Sequence, residues 1–301
     1  MFAKSLLLNK VVNTLQKSEF EVFTTKGCFD IAARREHLLL IKTLLNVDGL
    51  NPEHATSLRA ISYFLSAYPF VISTRNNREL LEDETVYTRF DLPVLTPNSF
   101  EEMITEDEMT ITHSAKGRHT KEVNTFALKE RRKELQYTLE QLANEIGISK
   151  KALYEIENRR VNPTEKTVKK LESILAVKLS MPYEMKHAEP AYLKPKDEFQ
   201  KNVSKELTRI GIDNTSVYSA PFEIIGKEKF SLITALSENT ENIRRESTLV
   251  KDLSRTLNSK AVFVAKKTRE KNIEGVRIVL ESELVEIESP KDLSDILEEA
   301  E

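Results

Sequence analysis

The sequence predicts a multidomain protein of mixed class. It reads as two related α/β domains of αβββαβ type with a central all-α unit of four or five helices between them. Three observations carry this. Apolar residues recur at helical spacing between Leu128 and Val177, divided by turn residues into short helices. On either side, residues 1–106 and 196–301 run through the same order of helical and strand patterns. Finally, residues 126–178 hold twelve Lys/Arg against eight Asp/Glu, a local +4, whereas the whole chain has 45 against 48 and a net −3.

Composition narrows the class further. With 301 residues, 40% hydrophobic and 31% charged, the chain is long enough for two or three domains with cores of their own. The single cysteine, Cys28, allows neither an intramolecular disulfide nor a cysteine-rich zinc site, and indicates a reducing, cytoplasmic setting. No apolar run approaches the ~20 residues of a bilayer span. The opening MFAKSLLLNKVVNTLQKSEFEV has the spacing of an amphipathic helix rather than of a signal peptide.

Taken in order, the first flank starts with a helix over Lys4 to Lys17 and a strand centred on Val22. A second strand holds Phe29, Asp30 and Ile31, and the charged turn RREH leads to a third, LLLIK. The second flank repeats this as a helix over Asp197 to Ile210, a strand at Val217, a strand with Phe222, Glu223 and Ile224, and FSLIT. Helix-to-strand passages follow, SLRAISYFLSAYPFVIST against VKDLSRTLNSKAVFVAKKT, then FDLPVLTPNSFEEMI against IEGVRIVLESELVEI. Duplication explains the shared order better than chance α/β patterning. Residues 107–123 read as a linker or hairpin, from Met109 to Val123 with Gly117 at its tip; Lys116, Arg118 and Lys121 there serve solubility before phosphate contact. Residues 183–195 read as an extended, proline-bearing connector that lets domains reorient. The acidic end ESELVEIESPKDLSDILEEAE reads as a solvated helix, although Leu284, Val285, Ile287, Leu293 and Ile296 also suit a folded end.

Within residues 124–182, Leu128, Leu135, Leu139, Leu142, Ala143 and Ile146 form the apolar stripes of two helices. Thr138 caps the second of them, with Gln141 completing a capping box, and Gly147 makes the following turn. Ser149 caps a third helix in which Ala152, Leu153 and Ile156 face inward. Lys150, Lys151, Tyr154 and Glu155 face outward, where lysine can donate to guanine and a carboxylate can accept from cytosine in a major groove. Thr164 caps a fourth helix carrying Val168, Leu171, Ile174 and Leu175. The plainer reading is a unit that only packs or dimerises, its lysines solvated; the local basic excess favours phosphate contact and a salt-dependent affinity for double-stranded DNA.

LEQLANEIGISKKALYEIEN and the trailing NPTEKTVKKLESIL resemble the Cro/cI helix-turn-helix domain of phage repressors. The resemblance implies a structural pair between Arg132 and Glu157, base-reading positions at Lys150, Lys151, Tyr154 and Glu155, and backbone contacts around Thr138, Leu139, Ser149, Arg131, Lys133, Arg159 and Arg160. Arg159 stands where that family places glycine. The flanks resemble archaeal Holliday-junction resolvases and the PD-(D/E)XK nucleases, with Asp30 and Lys42 at expected places. Such nucleases need a second carboxylate to hold Mg²⁺. Leu40 occupies that place, and Glu36 lies in a charged turn; the second copy keeps Glu223 but aligns Leu232, Ile233 and Thr234 with the remainder of the motif. The whole order resembles a family of archaeal helix-turn-helix transcriptional regulators.

The expected function is therefore sequence-specific DNA binding by a homodimer, with no catalytic residue, metal or cofactor and no membrane segment. His113, His119 and His187 lack metal-ligand spacing, and no GxxxxGK[ST], GxGxxG or GxSxG motif is present. A Mg²⁺-dependent nuclease using Asp30 and Lys42, or a protein-binding adaptor, are the competing classes. No small-molecule effector is legible.

Overall fold

The computed structural model describes residues 2–83, 85–105, 112–115, 118–181 and 185–298. Its contacts divide the chain into two compact units, Met1–Arg78 with Met185–Glu301, and Glu79–Glu184.

In the first unit, α1 (Phe2–Lys17) turns Leu7, Val11 and Leu15, four residues apart, into the core. β1 (Glu21–Thr24), β2 (Ile31–Arg34) and β3 (Leu38–Asn46) form an antiparallel meander, and α1 packs on β3. The first six residues of β3 are all buried, which is why LLLIKT reads as a continuous run instead of alternating. α2 (Pro52–Phe64) starts with proline after Asn51, whose side chain accepts from the Glu53 N–H, and crosses over to β4 (Tyr68–Arg75), parallel to β3.

In the second unit, β5 (Thr85–Arg89) and β6 (Leu92–Leu95) form a hairpin through Phe90 and Asp91, both at positive φ as a primed turn requires. α3 (Pro97–Thr105) follows. β7 (Thr112–Ala115) and β8 (Arg118–Lys121) pair as an antiparallel hairpin, with β7 parallel to β5. The expected start at Met109 and tip at Lys116 and Gly117 lie outside the described residues, as do the side chains of His113, Arg118 and His119. Lys121 corrects its expectation: it is buried (6% exposed), near Glu165, with its N–H donating to the Pro163 carbonyl. Four helices complete the unit: α4 (Thr125–Glu134), α5 (Leu139–Ile146), α6 (Lys150–Glu157) and α7 (Glu165–Leu175). Leu128, Leu142, Ala143, Ile146, Leu153, Ile156, Val168, Leu171 and Leu175 make their core, while Leu135 ends α4 and is 40% exposed, against its place in the helical stripe.

Residues 185–195 have no regular secondary structure, yet they are laid firmly on the first unit. The His187 ring stacks on Tyr68, Tyr192 packs edge-on against Phe64, and the Leu193 N–H donates to Thr215 Oγ1. These contacts tie this part of the connector to α2, β4 and β9 of the same unit. Then come α8 (Glu198–Arg209), β9 (Asp213–Ser216), β10 (Ile224–Lys227), β11 (Ser231–Ser237), α9 (Thr240–Leu257), β12 (Lys260–Ala265), β13 (Asn272–Ile273), β14 (Val276–Leu280), α10 (Glu281–Leu284) and α11 (Pro290–Glu298). The acidic end folds: Leu284, Ile287 and Leu293 join the core around Val203, Leu207 and Val262, because their burial outweighs the solvation of the acids between them.

The two copies share their topology. β9-β10-β11-β12 repeats β1-β2-β3-β4 with the same two antiparallel steps and one parallel step. Register fixes the equivalence, since Ile31 faces Ile41 as Ile224 faces Thr234. Lys42 therefore corresponds to Ala235, one residue beyond the Thr234 expected from the sequence.

The copies also dock reciprocally inside the first unit. α9 lies on β1 and β2, and α2 lies on β9 and β10. Arg34 on β2 donates from Nε and Nη2 to the Thr256 and Leu257 carbonyls ending α9, at 2.5 and 2.6 Å. Its counterpart Lys227 on β10 reaches Ser66 Oγ just past α2, at 2.8 Å. At Gly27 the backbones come so close that a Cβ would stand 1.9 Å from the Ser219 oxygen, which accepts from the Cys28 N–H.

Candidate nucleic-acid interface

α5 and α6 are set by local rules before packing acts. Thr138 Oγ1 accepts from the Gln141 N–H at 3.1 Å while Gln141 Oε1 accepts from the Thr138 N–H at 2.9 Å, so two otherwise unpaired amides at the start of α5 are satisfied. Gly147 turns the chain at φ 75°, and Ser149 Oγ accepts from the Ala152 N–H to start α6. The turn between α5 and α6 is only three residues long, so α6 is held at a fixed angle with Leu153 and Ile156 in the core.

The opposite side of α6 is polar and open. Lys150 and Lys151 stand in its first turn, exposed, with Lys150 Nζ 3.3 Å from Glu140. Tyr154 follows one turn later at 44% exposure, with the Arg160 guanidinium 5.8 Å from its ring centre. Glu155 is half-buried and 3.4 Å from Arg160 Nη1. Lys150 is thus answered by Glu140 and Glu155 by Arg160, while Lys151 and Tyr154 stand exposed on the same side. Arg160 near Tyr154 is a relation that helical periodicity could not show, because the arginine lies beyond the helix end.

The remaining nominated residues divide. Arg132 and Glu157 form a two-pronged ion pair, Nε to Oε1 at 2.6 Å and Nη2 to Oε2 at 3.1 Å, and Arg132 Nη1 donates to the Tyr137 carbonyl. This ties α4, the α4–α5 turn and the end of α6 together. Arg131 Nε donates to the Leu175 carbonyl at the end of α7 and Nη1 meets Glu134, so part of its donor set is committed inside the unit. Lys133 pairs with Glu130 on the surface. Arg159 adopts φ 57°, the left-handed backbone that glycine would take freely, and its Nε donates to Thr125 Oγ1. Thr138 and Ser149 are exposed caps, and Leu139 packs against the core, leaving its backbone end of α5 outward. Lys170, absent from the sequence reading, donates to the Ile146 carbonyl and closes α5.

In the first unit, Asp30 is buried and fully engaged. Oδ2 accepts from the Thr43 N–H and hydroxyl at 2.8 and 3.0 Å, and Oδ1 lies 3.1 Å from Lys42 Nζ and 3.8 Å from Lys4 Nζ. Lys42 also donates to the Gly27 carbonyl at 2.5 Å. Leu40, where the second metal carboxylate would stand, is fully buried among apolar side chains. These donors do not fit a divalent cation: one carboxylate is present and its lone pairs are directed at a lysine, a threonine and an amide. His54, which the sequence reading passed over because it belongs to no motif, has its pKa lowered by burial and then by Lys42. Cys28 beside this site is pushed up to about 12 by burial, an unreactive thiol.

In the second copy three positions of this site differ, with Glu223, Ala235 and Leu236 in place of Asp30, Lys42 and Thr43. Glu223 Oε2 accepts from the Leu236 N–H at 2.7 Å as Asp30 accepts from Thr43, but Ala235 supplies no amine. Burial pushes the Glu223 carboxyl up to about 7, the Leu236 N–H opposing and Glu246 adding to the shift.

Fold and face together define a helix-turn-helix protein with PD-(D/E)XK-type flanking architecture. The descriptions "PD-(D/E)XK superfamily domain" and "Helix-turn-helix" match residues 4–110 and 128–181 respectively. Relatives provisionally named HTH-type transcriptional regulatory proteins match along nearly the whole length. One from Methanococcus maripaludis is 30% identical, covering 98% of each chain. One from Archaeoglobus fulgidus is 29% identical over 97% of each, and one from Methanothermobacter thermautotrophicus 28% over 97% of this chain and 96% of its own. The chain belongs to this archaeal family of HTH-type transcriptional regulatory proteins. No solved structure matches it. No helix among the described residues is long and apolar enough to cross a membrane.

Proposed function

We propose that this chain is a cytoplasmic, sequence-specific DNA-binding regulator of transcription that places α6 in the major groove and acts as a homodimer. The observation that carries this reading is α6 itself. Its inner face and its Glu157 are locked into the helical unit, while Lys150, Lys151 and Tyr154 stand together on the open side, the first-turn arrangement that base readout requires. Dimerisation follows from the small interface of one such unit, which gains specificity by reading two half-sites about one helical turn apart. The α/β copies already meet each other within one chain, so a second subunit engages a different surface.

Selection of bound fragments from genomic DNA, then affinity for the enriched duplex against scrambled DNA at physiological salt, tests this. A strong preference lost in Lys150→Ala with Lys151→Ala is the expected outcome; equal affinity for both duplexes overturns it. Undiminished binding by the double variant returns the helical unit to a packing role and favours the adaptor.

The Asp30–Lys42 pair is read here as structural and the chain as non-catalytic, because Lys42 braces Gly27 where the copies touch. Cleavage of branched DNA with Mg²⁺ that disappears in Asp30→Ala is the result that contradicts this.

A further inference from the structure

The second α/β copy encloses a cavity of about 390 Å³ that the DNA-reading function does not use. Its walls are the second half of α9, the residues joining α9 to β12, the turn from β13 to β14 and the end of α11. Four cationic side chains line it, Lys251, Arg255, Lys260 and Arg277, against one carboxylate, Glu298.

The carboxylate is already taken. Lys260 Nζ donates to Glu298 Oε1 at 2.5 Å and to Ser294 Oγ at 2.6 Å, and that bond holds the Glu298 carboxyl below its ordinary range. Among the described residues the ion pair of Arg255 is a long contact with Asp252, 3.9 Å. Among the described residues Lys251 and Arg277 have no ion-pair partner, and Arg277 Nε and the Ser259 hydroxyl are buried without a hydrogen bond. Buried donors are normally satisfied, so an unbonded guanidinium N–H and hydroxyl beside one cavity favour an acceptor at this wall. Lys251 Nζ is directed to the same place: it lies over Gly275, at φ 84°, where a Cβ would be 3.2 Å from the amine.

The negative end of α9 points toward this region and by itself disfavours an anion. Arg34 answers it by donating to the Thr256 and Leu257 carbonyls, and the cavity lining itself holds four cations against one carboxylate. The volume lies at the compact end of small-molecule sites, roughly 300–1,000 Å³.

We propose that this cavity binds a small phosphorylated metabolite, its phosphate oxygens held by Lys251, Arg277 and Ser259. Arg277 supplies planar paired donors suited to phosphate, Lys251 a point charge and Ser259 a neutral donor. Ser254 and Arg255 of this wall directly precede the Thr256 and Leu257 carbonyls that Arg34 holds. A role as effector site rests on the DNA-binding reading; ligand binding does not.

The test is calorimetric titration of the full chain with inorganic pyrophosphate at constant ionic strength. Saturable one-to-one binding is expected, weakened about tenfold or more in Lys251→Gln and in Arg277→Gln, and unchanged in Lys205→Gln on the exposed face of α8. Ser259→Ala, which keeps all charges and removes only an unsatisfied hydroxyl, weakens binding without lowering the melting midpoint. Absence of saturable binding, or equal binding by all variants, overturns the proposal. So does a loss of affinity for random duplex DNA in the variants of a chain that ignores pyrophosphate, which makes these cations DNA contacts instead. Affinity of the ligand-free chain for its selected duplex stays unchanged in the cavity variants and falls only in Lys150→Ala with Lys151→Ala, so each claim fails on its own measurement.

Discussion

Glu157 is 3% exposed, and both of its oxygens are held by Arg132. Removing one partner of such a pair leaves the other charge desolvated and unanswered, so Glu157→Ala is expected to destabilise the helical unit by about 3 kcal/mol in urea unfolding. Glu223 presents the opposite situation, a half-buried carboxyl with Ala235 where the first copy has Lys42. Its folded pKa of about 7 lies above the ordinary 4.5, so between these values the folded state keeps a proton that the unfolded state has released. Stability contributed by protonated Glu223 is present below about pH 4.5 and is lost as pH rises through 7, with a size on the order of 3 kcal/mol. Glu223→Gln is expected to flatten this decline and to raise the melting midpoint at pH 8 relative to the parent; an unchanged pH profile contradicts the assignment. The Glu223 position was legible from the sequence, but its isolation was not, because Ala235 becomes the counterpart of Lys42 only once the β10–β11 register is known.

At the scale of elements, capping was the most legible feature. Thr138, Ser149 and Thr164 each accept from an amide three residues on, a bond that depends on local backbone and residue type alone. Thr138→Ala is expected to cost about 1 kcal/mol and to speed amide exchange over residues 139–146 ahead of the other helices. Leu135 shows the limit of periodicity: it keeps the spacing of a core residue, yet it falls at the end of α4, where the chain leaves the helix and its side chain meets solvent. Arg159 was legible as the place for a left-handed residue, but its bond to Thr125, 34 positions earlier, was not.

At the scale of the molecule, the α/β copies behave as a dimer within one chain. Each crossover helix lies on the other copy's first two strands, and Arg34 and Lys227 reach across in equivalent positions. Arg34→Ala removes two charge-assisted bonds to the end of α9, so hydrogen exchange over residues 240–258 is expected to rise by tenfold or more while α5 and α6 retain their protection. Equal protection of α9 in both proteins contradicts a clasping role for Arg34. Cys28, Gly27 and the Asp30–Lys42 pair lie along this same contact.

The sequence by itself determined the helical unit, its caps and outward basic face, and the repeated order of α/β elements. All of these depend on residue type at short spacing, or on a pattern repeated along the chain. Only the tertiary structure decided that Lys121 is buried, that Arg131 closes α7, that the connector after His187 is pinned, and that four cations share one cavity. These depend on segments tens to hundreds of residues apart meeting at particular distances, and burial and charge at such meetings are set by register and docking, which no local pattern records.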